Sequence, residues 1–165
     1  MEAIRIDSTL QLVVDDALTE QLRGEAELRL HHPTPQDVAL HADAAWEGNG
    51  SGYITVFRDG DICRMYYKAW QLQIDGDKLT EPHPLFVGYA ESPDGIHWSK
   101  PNLGLYEFDG SKKNNIVCVG EGEEQKGCHG FAPFKDENPD CPPEMRYKAV
   151  GAQRRACRNG LYALV

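Results

Sequence analysis

The sequence predicts an all-β fold in which one unit of strands is followed by part of a second copy of that unit. Strand-like segments between residues 52 and 98 recur in the same order between residues 130 and 165. β-branched and aromatic residues fill these segments, and Gly, Pro and Asp separate them, which is typical of short strands. Self-similarity at a long period is characteristic of stacked or radially repeated folds. We therefore expect a partial β-propeller.

In the first unit, apolar residues occupy both faces of the opening strand. Tyr53, Thr55 and Phe57 alternate with Ile54 and Val56, and a sheet that is buried on both faces lies between other sheets. This pattern favours a propeller blade over a sandwich with one face in water. The two units align through three aromatic pairs: Phe57 with Phe134, Tyr67 with Tyr147, and Tyr89 with Tyr162.

Local patterns predict the other strands of the first unit. An Asp-Gly dipeptide at residues 59–60 favours a two-residue hairpin turn because Gly supplies the positive φ, and the strand pattern resumes at Ile62. Residues 86–90 predict a third strand and residues 115–119 a fourth, whereas the polar residues 71–84 predict a loop. Four strands would complete one blade.

The repeat divides the chain into three parts: a leader over residues 1–49, blade one over residues 50–120 and an incomplete blade two over residues 128–165. In the leader, residues 10–15 predict a short strand, and the alternation over residues 27–31 predicts another. The copy stops where its third strand should turn. We therefore expect the N-terminal part of a larger propeller domain.

Composition restricts the partners and the compartment. The chain has 165 residues, of which 41% are hydrophobic, and a formal net charge of -9. This acidity argues against nucleic acid and membrane surfaces as partners, since both require clustered Lys and Arg, and it is compatible with a neutral ligand. Neither an apolar run of roughly 20 residues nor a signal peptide is evident. We expect a cytoplasmic protein, with secretion left open if the N-terminus is incomplete.

The cysteines favour free thiols over a disulfide framework. There are five, an odd number, without a C-x-x-C motif. Cys118, Cys128, His129 and Cys141 carry atoms that bind zinc, but their spacing differs from the close pairs of structural zinc sites. We expect no bound metal, and since the sequence has no Gly-rich phosphate loop, no nucleotide or other cofactor.

Several runs resemble the five-bladed β-propeller glycoside hydrolases. Residues 91–101, with the Ser-x-Asp-Gly-x-x-Trp turn, and residues 134–139 and 146–149 are similar to this superfamily. It includes the fructan- and sucrose-cleaving enzymes of family 32 and the arabinan- and xylan-cleaving enzymes of family 43. Residues 12–16 and 113–116 resemble an uncharacterised bacterial branch. The resemblance implies a five-bladed propeller, a carbohydrate partner and hydrolysis of glycosidic bonds.

The resemblance also implies three carboxylates at the mouth of a central channel, one from each of the first three blades. Related enzymes place Asp-Pro in blade one, and this chain has no Asp-Pro there. Glu47 or Asp43 is the available substitute for the base or nucleophile, and the alternative is that Glu47 is a structural loop acid. The general acid would come from blade three, beyond Val165.

Asp136 has two competing interpretations. Residues 134–137, Phe-Lys-Asp-Glu, resemble the Phe-Arg-Asp-Pro of the fructan-cleaving enzymes, which implies that Asp136 stabilises the transition state. The internal repeat instead aligns Asp136 with Asp59, which lies in a hairpin turn. On that alignment Asp136 is a turn residue, and His129 occupies the channel end of its strand.

Aromatic and polar residues near the expected channel are candidates for substrate binding. Trp46, Trp70 and Tyr53 offer flat apolar faces for sugar rings, and His129 and Arg58 offer hydroxyl partners. Packing in the core is the alternative role for each aromatic residue.

Three functional hypotheses follow. The first is a glycosidase acting on a neutral saccharide. The second, favoured by the missing Asp-Pro, is a propeller that binds carbohydrate or another partner without catalysis. The third is a truncated fragment without activity, for which open strand edges would promote self-association.

Overall fold

The computed structural model describes residues 8, 11–12, 14–15, 18–120, 127–152 and 161–164, with the backbone alone at 152 and 161–164. This part of the chain is all-β with antiparallel sheets, as expected, and has one short 3-10 helix, Pro143–Met145. The strands are β1 (Gly50–Asp59), β2 (Ile62–Trp70), β3 (Gln73–Asp75), β4 (Lys78–Thr80), β5 (Phe86–Ser92), β6 (Ile116–Val119), β7 (His129–Lys135), β8 (Tyr147–Ala152) and β9 (Leu161–Leu164).

The first unit forms one four-stranded sheet in the order β1-β2-β5-β6. Its four predicted strands are confirmed. The β1–β2 hairpin closes on the pair Asp59 and Ile62, so Gly60, with φ 62°, and Asp61 are the two turn residues. The loop prediction for residues 71–84 is wrong in part, because β3 and β4 pair there as a small exposed hairpin.

The second unit forms a three-stranded sheet in the order β7-β8-β9 and repeats a backbone irregularity of the first. The β1–β2 register shifts between Gly52 and Thr55, and the β7–β8 register shifts between His129 and Ala132. These bulges occupy equivalent positions when Phe57 is aligned with Phe134. The repeat therefore extends from residue types to strand geometry.

The alignment of the second strands was wrong, however. Lys135, the counterpart of Arg58, pairs with Tyr147, whereas Arg58 pairs with Cys63. Tyr147 is thus the counterpart of Cys63 and not of Tyr67. The sequence alignment matched two aromatic residues, whereas the true register is set by the hairpin connections, which differ in length between the units.

The middle strands of the first sheet are covered on both faces. The edge strand β1 is partly exposed to solvent. One face packs Met65, Tyr67 and Ala90 against Leu40 and Trp98. The other face packs Leu85 and Val87 against groups that include Cys128 and Phe131 of the second unit. The expectation that β1 is apolar on two buried faces is wrong for Tyr53, Ile54 and Val56, which are exposed.

Contacts between residues divide the chain differently from the repeat, into two compact parts: residues 1–36 and residues 37–165. The predicted strand over residues 27–31 is absent, and those residues are exposed without sheet pairing. Residues 10 and 13 of the other predicted strand lie outside the described residues, and residues 11–12 and 14–15 are not in a strand. Residues 37–49 group with the sheets. Alternation alone did not make a strand there because a strand also requires a partner and a face to pack on.

Candidate functional site

The bulges in β1 and β7 bring Tyr53 and His129 together. Their ring centroids are 5.2 Å apart in an edge-to-face arrangement. Tyr53 has a φ of 48°, which is uncommon for an aromatic residue, and its side chain is 56% exposed. A bulge redirects side chains, and strained backbone of this kind is found disproportionately at functional sites. The strand pattern over residues 52–59 did not predict this bulge.

Lys68 and Trp70 of β2 complete the surroundings of Tyr53. The Lys68 ammonium lies 3.4 Å from the Trp70 ring centroid and 5.1 Å from that of Tyr53, and Lys68 is 5% exposed. The Trp70 indole N–H donates to the Glu81 carboxylate at 3.0 Å. We call Tyr53, Lys68, Trp70, Glu81 and His129 the aromatic cluster.

The aromatic cluster unites three residues that the sequence singled out, Tyr53, Trp70 and His129. It adds Lys68 and Glu81, which sequence reasoning missed. A lysine within an apolar strand was the available signal for Lys68, whereas Glu81 lies in an unremarkable polar segment. Chemically, the cluster combines aromatic faces, a cation and a carboxylate at the starts of β1 and β7, which suits recognition of a small polar ligand.

Glu47 is fully buried, at 0% exposure. Its carboxylate accepts hydrogen bonds from the Tyr67 hydroxyl at 2.5 Å, the Ala44 backbone N–H at 2.7 Å and the Lys100 ammonium at 2.9 Å. These donors come from β2, from the preceding loop and from the segment after β5. Glu47 therefore ties the segment before β1 to the sheet.

Asp43 lies beside Glu47 but faces solvent. Its side chain is 74% exposed, and the Lys100 ammonium donates to it at 2.7 Å. The hydrogen bond and charge of Lys100 lower the pKa of Asp43. Burial of Lys100 acts to lower its pKa. The hydrogen bonds to Asp43 and Glu47 and the charges of these carboxylates have the larger effect, so the pKa of Lys100 is raised. Asp43 and Lys100 thus stay ionised at neutral pH, and an ionised Asp43 suits a base or nucleophile and not a general acid.

Trp46, a predicted sugar platform, packs into the core beside Glu47. Its indole N–H donates to the Asn115 side-chain oxygen at 2.7 Å, and its ring meets Phe108 edge-on at 6.3 Å. The Asn115 amide in turn donates to the Tyr67 hydroxyl at 2.7 Å. Burial and the bond to Glu47 raise the pKa of Tyr67, so its hydroxyl remains a donor. The neighbourhood of Trp46 is a connected structural network.

Asp136 follows β7, at the end opposite His129. It forms an ion pair with Lys148 of β8 and accepts the Asn138 backbone N–H at 2.9 Å. The hydrogen bond from Lys148, followed by that from Asn138, lowers the pKa of Asp136 to about 2. Arg58 also lies toward this end of its strand, where its side chain donates to the Gly60 carbonyl at 3.0 Å.

Asp59 links the two sheets at the same strand end. It accepts hydrogen bonds from Arg64 at 2.7 Å, from Lys135 at 2.6 Å and from the Tyr147 hydroxyl at 3.0 Å, and its side chain is 9% exposed. Lys135 first, and then Arg64, lower the pKa of Asp59 to about 2. Three partners from two sheets identify Asp59 as a structural anchor.

The ion pairs of Asp59 and Asp136 are equivalent. Phe57 faces Arg64 across the first hairpin, and Phe134 faces Lys148 across the second. The pair of Asp136 with Lys148 therefore repeats the pair of Asp59 with Arg64. This equivalence favours the turn-residue interpretation of Asp136.

The Ser-x-Asp-Gly turn after β5 is held by hydrogen bonds among its own residues. Asp94 accepts the backbone N–H groups of Ile96 and His97, both at 2.8 Å. The Trp98 indole donates to the Gly95 carbonyl at 3.1 Å, and its ring packs against the core. Hydrogen bonds from the side chain and backbone of His97 hold the pKa of Asp94 well below its usual range. The turn stabilises itself.

Among the residues that the structure describes, no cluster of three or more His, Cys, Asp or Glu side chains is arranged to hold a metal ion. The same residues include no helix of sufficient length and hydrophobicity to cross a bilayer. Comparisons of the chain with protein-family models, with curated proteins and with solved structures found no match.

Proposed function

We propose that this chain forms blades of a β-propeller that binds a neutral saccharide at the aromatic cluster. The observation that carries the proposal is Tyr53, an exposed aromatic side chain held at positive φ by a bulge that recurs at His129. A strained and exposed aromatic residue contributes little to a core. Besides its contacts with His129 and Lys68, the Tyr53 ring presents an exposed surface that a ligand can cover.

The chemistry of the aromatic cluster fits a sugar. The apolar C–H face of a pyranose or furanose ring stacks on aromatic side chains, and the Tyr53 ring is available for such contact. Glu81 and His129 can exchange hydrogen bonds with hydroxyl groups. The net charge of -9 disfavours an acidic saccharide, so a neutral one is proposed.

A second candidate function is hydrolysis of the bound saccharide. The exposure and ionisation of the Asp43 carboxylate favour it. Asp43 is exposed and ionised beside Glu47, in the segment that leads into β1, where the resemblance places the carboxylate of blade one. The buried Glu47 carboxylate accepts three hydrogen bonds, which would have to break before it could contact a sugar. Binding is therefore the better-supported function of the described residues.

A binding screen and an activity assay separate these candidates. The chain is applied to an array of xylan, arabinan and fructan oligosaccharides, and product release from the same sugars is followed. We expect retention on a subset of the array that Tyr53→Ala abolishes. Tyr106→Ala, at another exposed tyrosine, is the matched control and should bind normally. Absence of retention for every sugar would overturn the binding proposal, whereas product release that is lost in Asp43→Asn would establish hydrolysis.

A further inference from the structure

Two cysteine side chains meet where the four-stranded sheet of the first repeat is connected to the three-stranded sheet of the second. The Sγ atoms of Cys118, in β6, and Cys128, immediately before β7, are 2.9 Å apart. The described part of the chain contains two other cysteines, Cys63 and Cys141, and Cys157 lies outside it. Two sulfur atoms at this separation require only a small side-chain movement to reach the bonding distance of about 2 Å.

The two thiols differ in their access to reagents. Cys128 is fully buried, at 0% exposure, and packs with Leu85 and Val87. Cys118 is partly exposed. A reagent in solution therefore reacts with Cys118 first. The buried Cys128 then reacts with the Cys118 sulfur, once that sulfur has formed a disulfide with the reagent.

We propose that Cys118 and Cys128 form a redox modification site whose substrate is a low-molecular-weight disulfide such as oxidised glutathione. The Cys118 thiolate attacks the disulfide, which forms a mixed disulfide and releases one thiol. The Cys128 thiolate then attacks the Cys118 sulfur, which forms the intramolecular disulfide and releases the second thiol. Two protein thiols are oxidised and one glutathione disulfide is reduced, so the electrons and protons balance.

The position of the pair gives the modification a consequence for the sheets. The disulfide would close the connection over residues 119–127 and fix the last strand of the first sheet to the first strand of the second. His129 of the aromatic cluster directly follows Cys128. A bond that closes a loop reduces the freedom of the unfolded chain, so oxidation should raise the urea midpoint of the chain.

Peptide mapping of the intact chain tests the proposal. The folded chain is incubated with oxidised glutathione, alkylated, digested with trypsin and examined by mass spectrometry without reduction. Cleavage after Lys113 and Lys126 places the two cysteines on different peptides, so a linked pair identifies the bond directly. We expect this pair as the main product, together with a higher urea midpoint that a reductant reverses. Absence of the linked pair from the oxidised wild-type chain would overturn the proposal.

Single variants test the order of the steps. Cys128→Ser should accumulate glutathione on Cys118, whereas Cys118→Ser should leave Cys128 unmodified. Cys63→Ser is the control at another partly exposed cysteine and should still form the linked pair. Glutathione on Cys128 in the Cys118→Ser variant, with its circular dichroism spectrum unchanged, would contradict the assigned order. The wild-type map decides the site itself if a variant does not fold.

Discussion

Asp59→Asn is the substitution that most directly tests how the two units are held together. Asp59 receives hydrogen bonds from Arg64 of its own sheet and from Lys135 and Tyr147 of the other. Asparagine preserves the shape of the side chain and one acceptor oxygen, but it removes the negative charge. The substitution thus changes electrostatics with little change in packing volume.

The expected cost follows from the exposure of the partners. Hydrogen bonds to charged groups contribute about 1.5–3 kcal/mol each when they are desolvated, and exposed ion pairs contribute about 0.2–1 kcal/mol. Asp59 is 9% exposed, whereas Lys135 and Arg64 are 27% and 31% exposed and recover some hydration. We therefore expect a loss of about 2–3 kcal/mol in total, below the roughly 4.5 kcal/mol that three fully desolvated bonds would contribute at the least and toward the range of exposed ion pairs.

Urea unfolding at fixed chain concentration measures this loss. For a small protein whose stability falls by roughly 1–3 kcal/mol per molar urea, a loss of about 2–3 kcal/mol should lower the midpoint by about 0.7–3 M. Asp61→Asn, at the exposed neighbour in the same turn, is the matched control and should shift the midpoint little. Equal midpoints for Asp59→Asn and Asp61→Asn would refute the assignment of Asp59 as an anchor between the sheets.

The pH dependence gives an independent check. The pKa of Asp59 is lowered to about 2 in the folded chain, against about 4 for an ordinary aspartate. Its contribution is therefore complete above pH 4 and is lost as the pH falls toward 2. The difference in stability between the wild type and Asp59→Asn should shrink over that window. Asp94 and Asp136 also have lowered pKa values, but they are present in both proteins and cancel in the difference.

Three further predictions concern the network around Glu47 and the open strand edges. Gly88→Ala places a Cβ 2.6 Å from the Tyr67 ring and should cost about 1–3 kcal/mol by thermal melting, whereas Gly52→Ala, where the space is open, should not. Tyr67→Phe removes a donor to the buried Glu47 carboxylate and should cost about 1–3 kcal/mol in urea unfolding; an unchanged midpoint would mean that Glu47 does not depend on that bond. The edges of β1 and β6 have no strand partner among the described residues, so sedimentation should show association that increases with concentration, and a monodisperse monomer would contradict this.

Strands and turns encoded by adjacent residues could be predicted from the sequence. The hairpin around Gly60 and the turn of Asp94 depend on conformations and hydrogen bonds within a few residues. The repeat was also visible, because the same strand types recur in the same order. These features need no knowledge of which distant residues meet.

The bulge, the strand register and the burial of Glu47 could not be predicted in the same way. The bulge at Tyr53 breaks the two-residue alternation on which the face assignment of β1 rested. The register of β8 depends on the length of a hairpin connection, and the burial of Glu47 depends on donors such as Tyr67 and Lys100, which are distant in sequence. Each of these is set by tertiary contacts, which residue patterns along the chain do not specify.

Calorimetric titration of a neutral oligosaccharide into the wild-type chain and into Tyr53→Ala tests the central claim most directly. The sugar is the one that the array retains most strongly, and Tyr106→Ala again serves as the control. Loss of an aromatic stacking surface should weaken binding about 10-fold or more, which corresponds to about 1.4 kcal/mol. We predict that weakening for Tyr53→Ala alone. Equal affinity of the wild type and Tyr53→Ala would contradict the assignment of the aromatic cluster as a saccharide site.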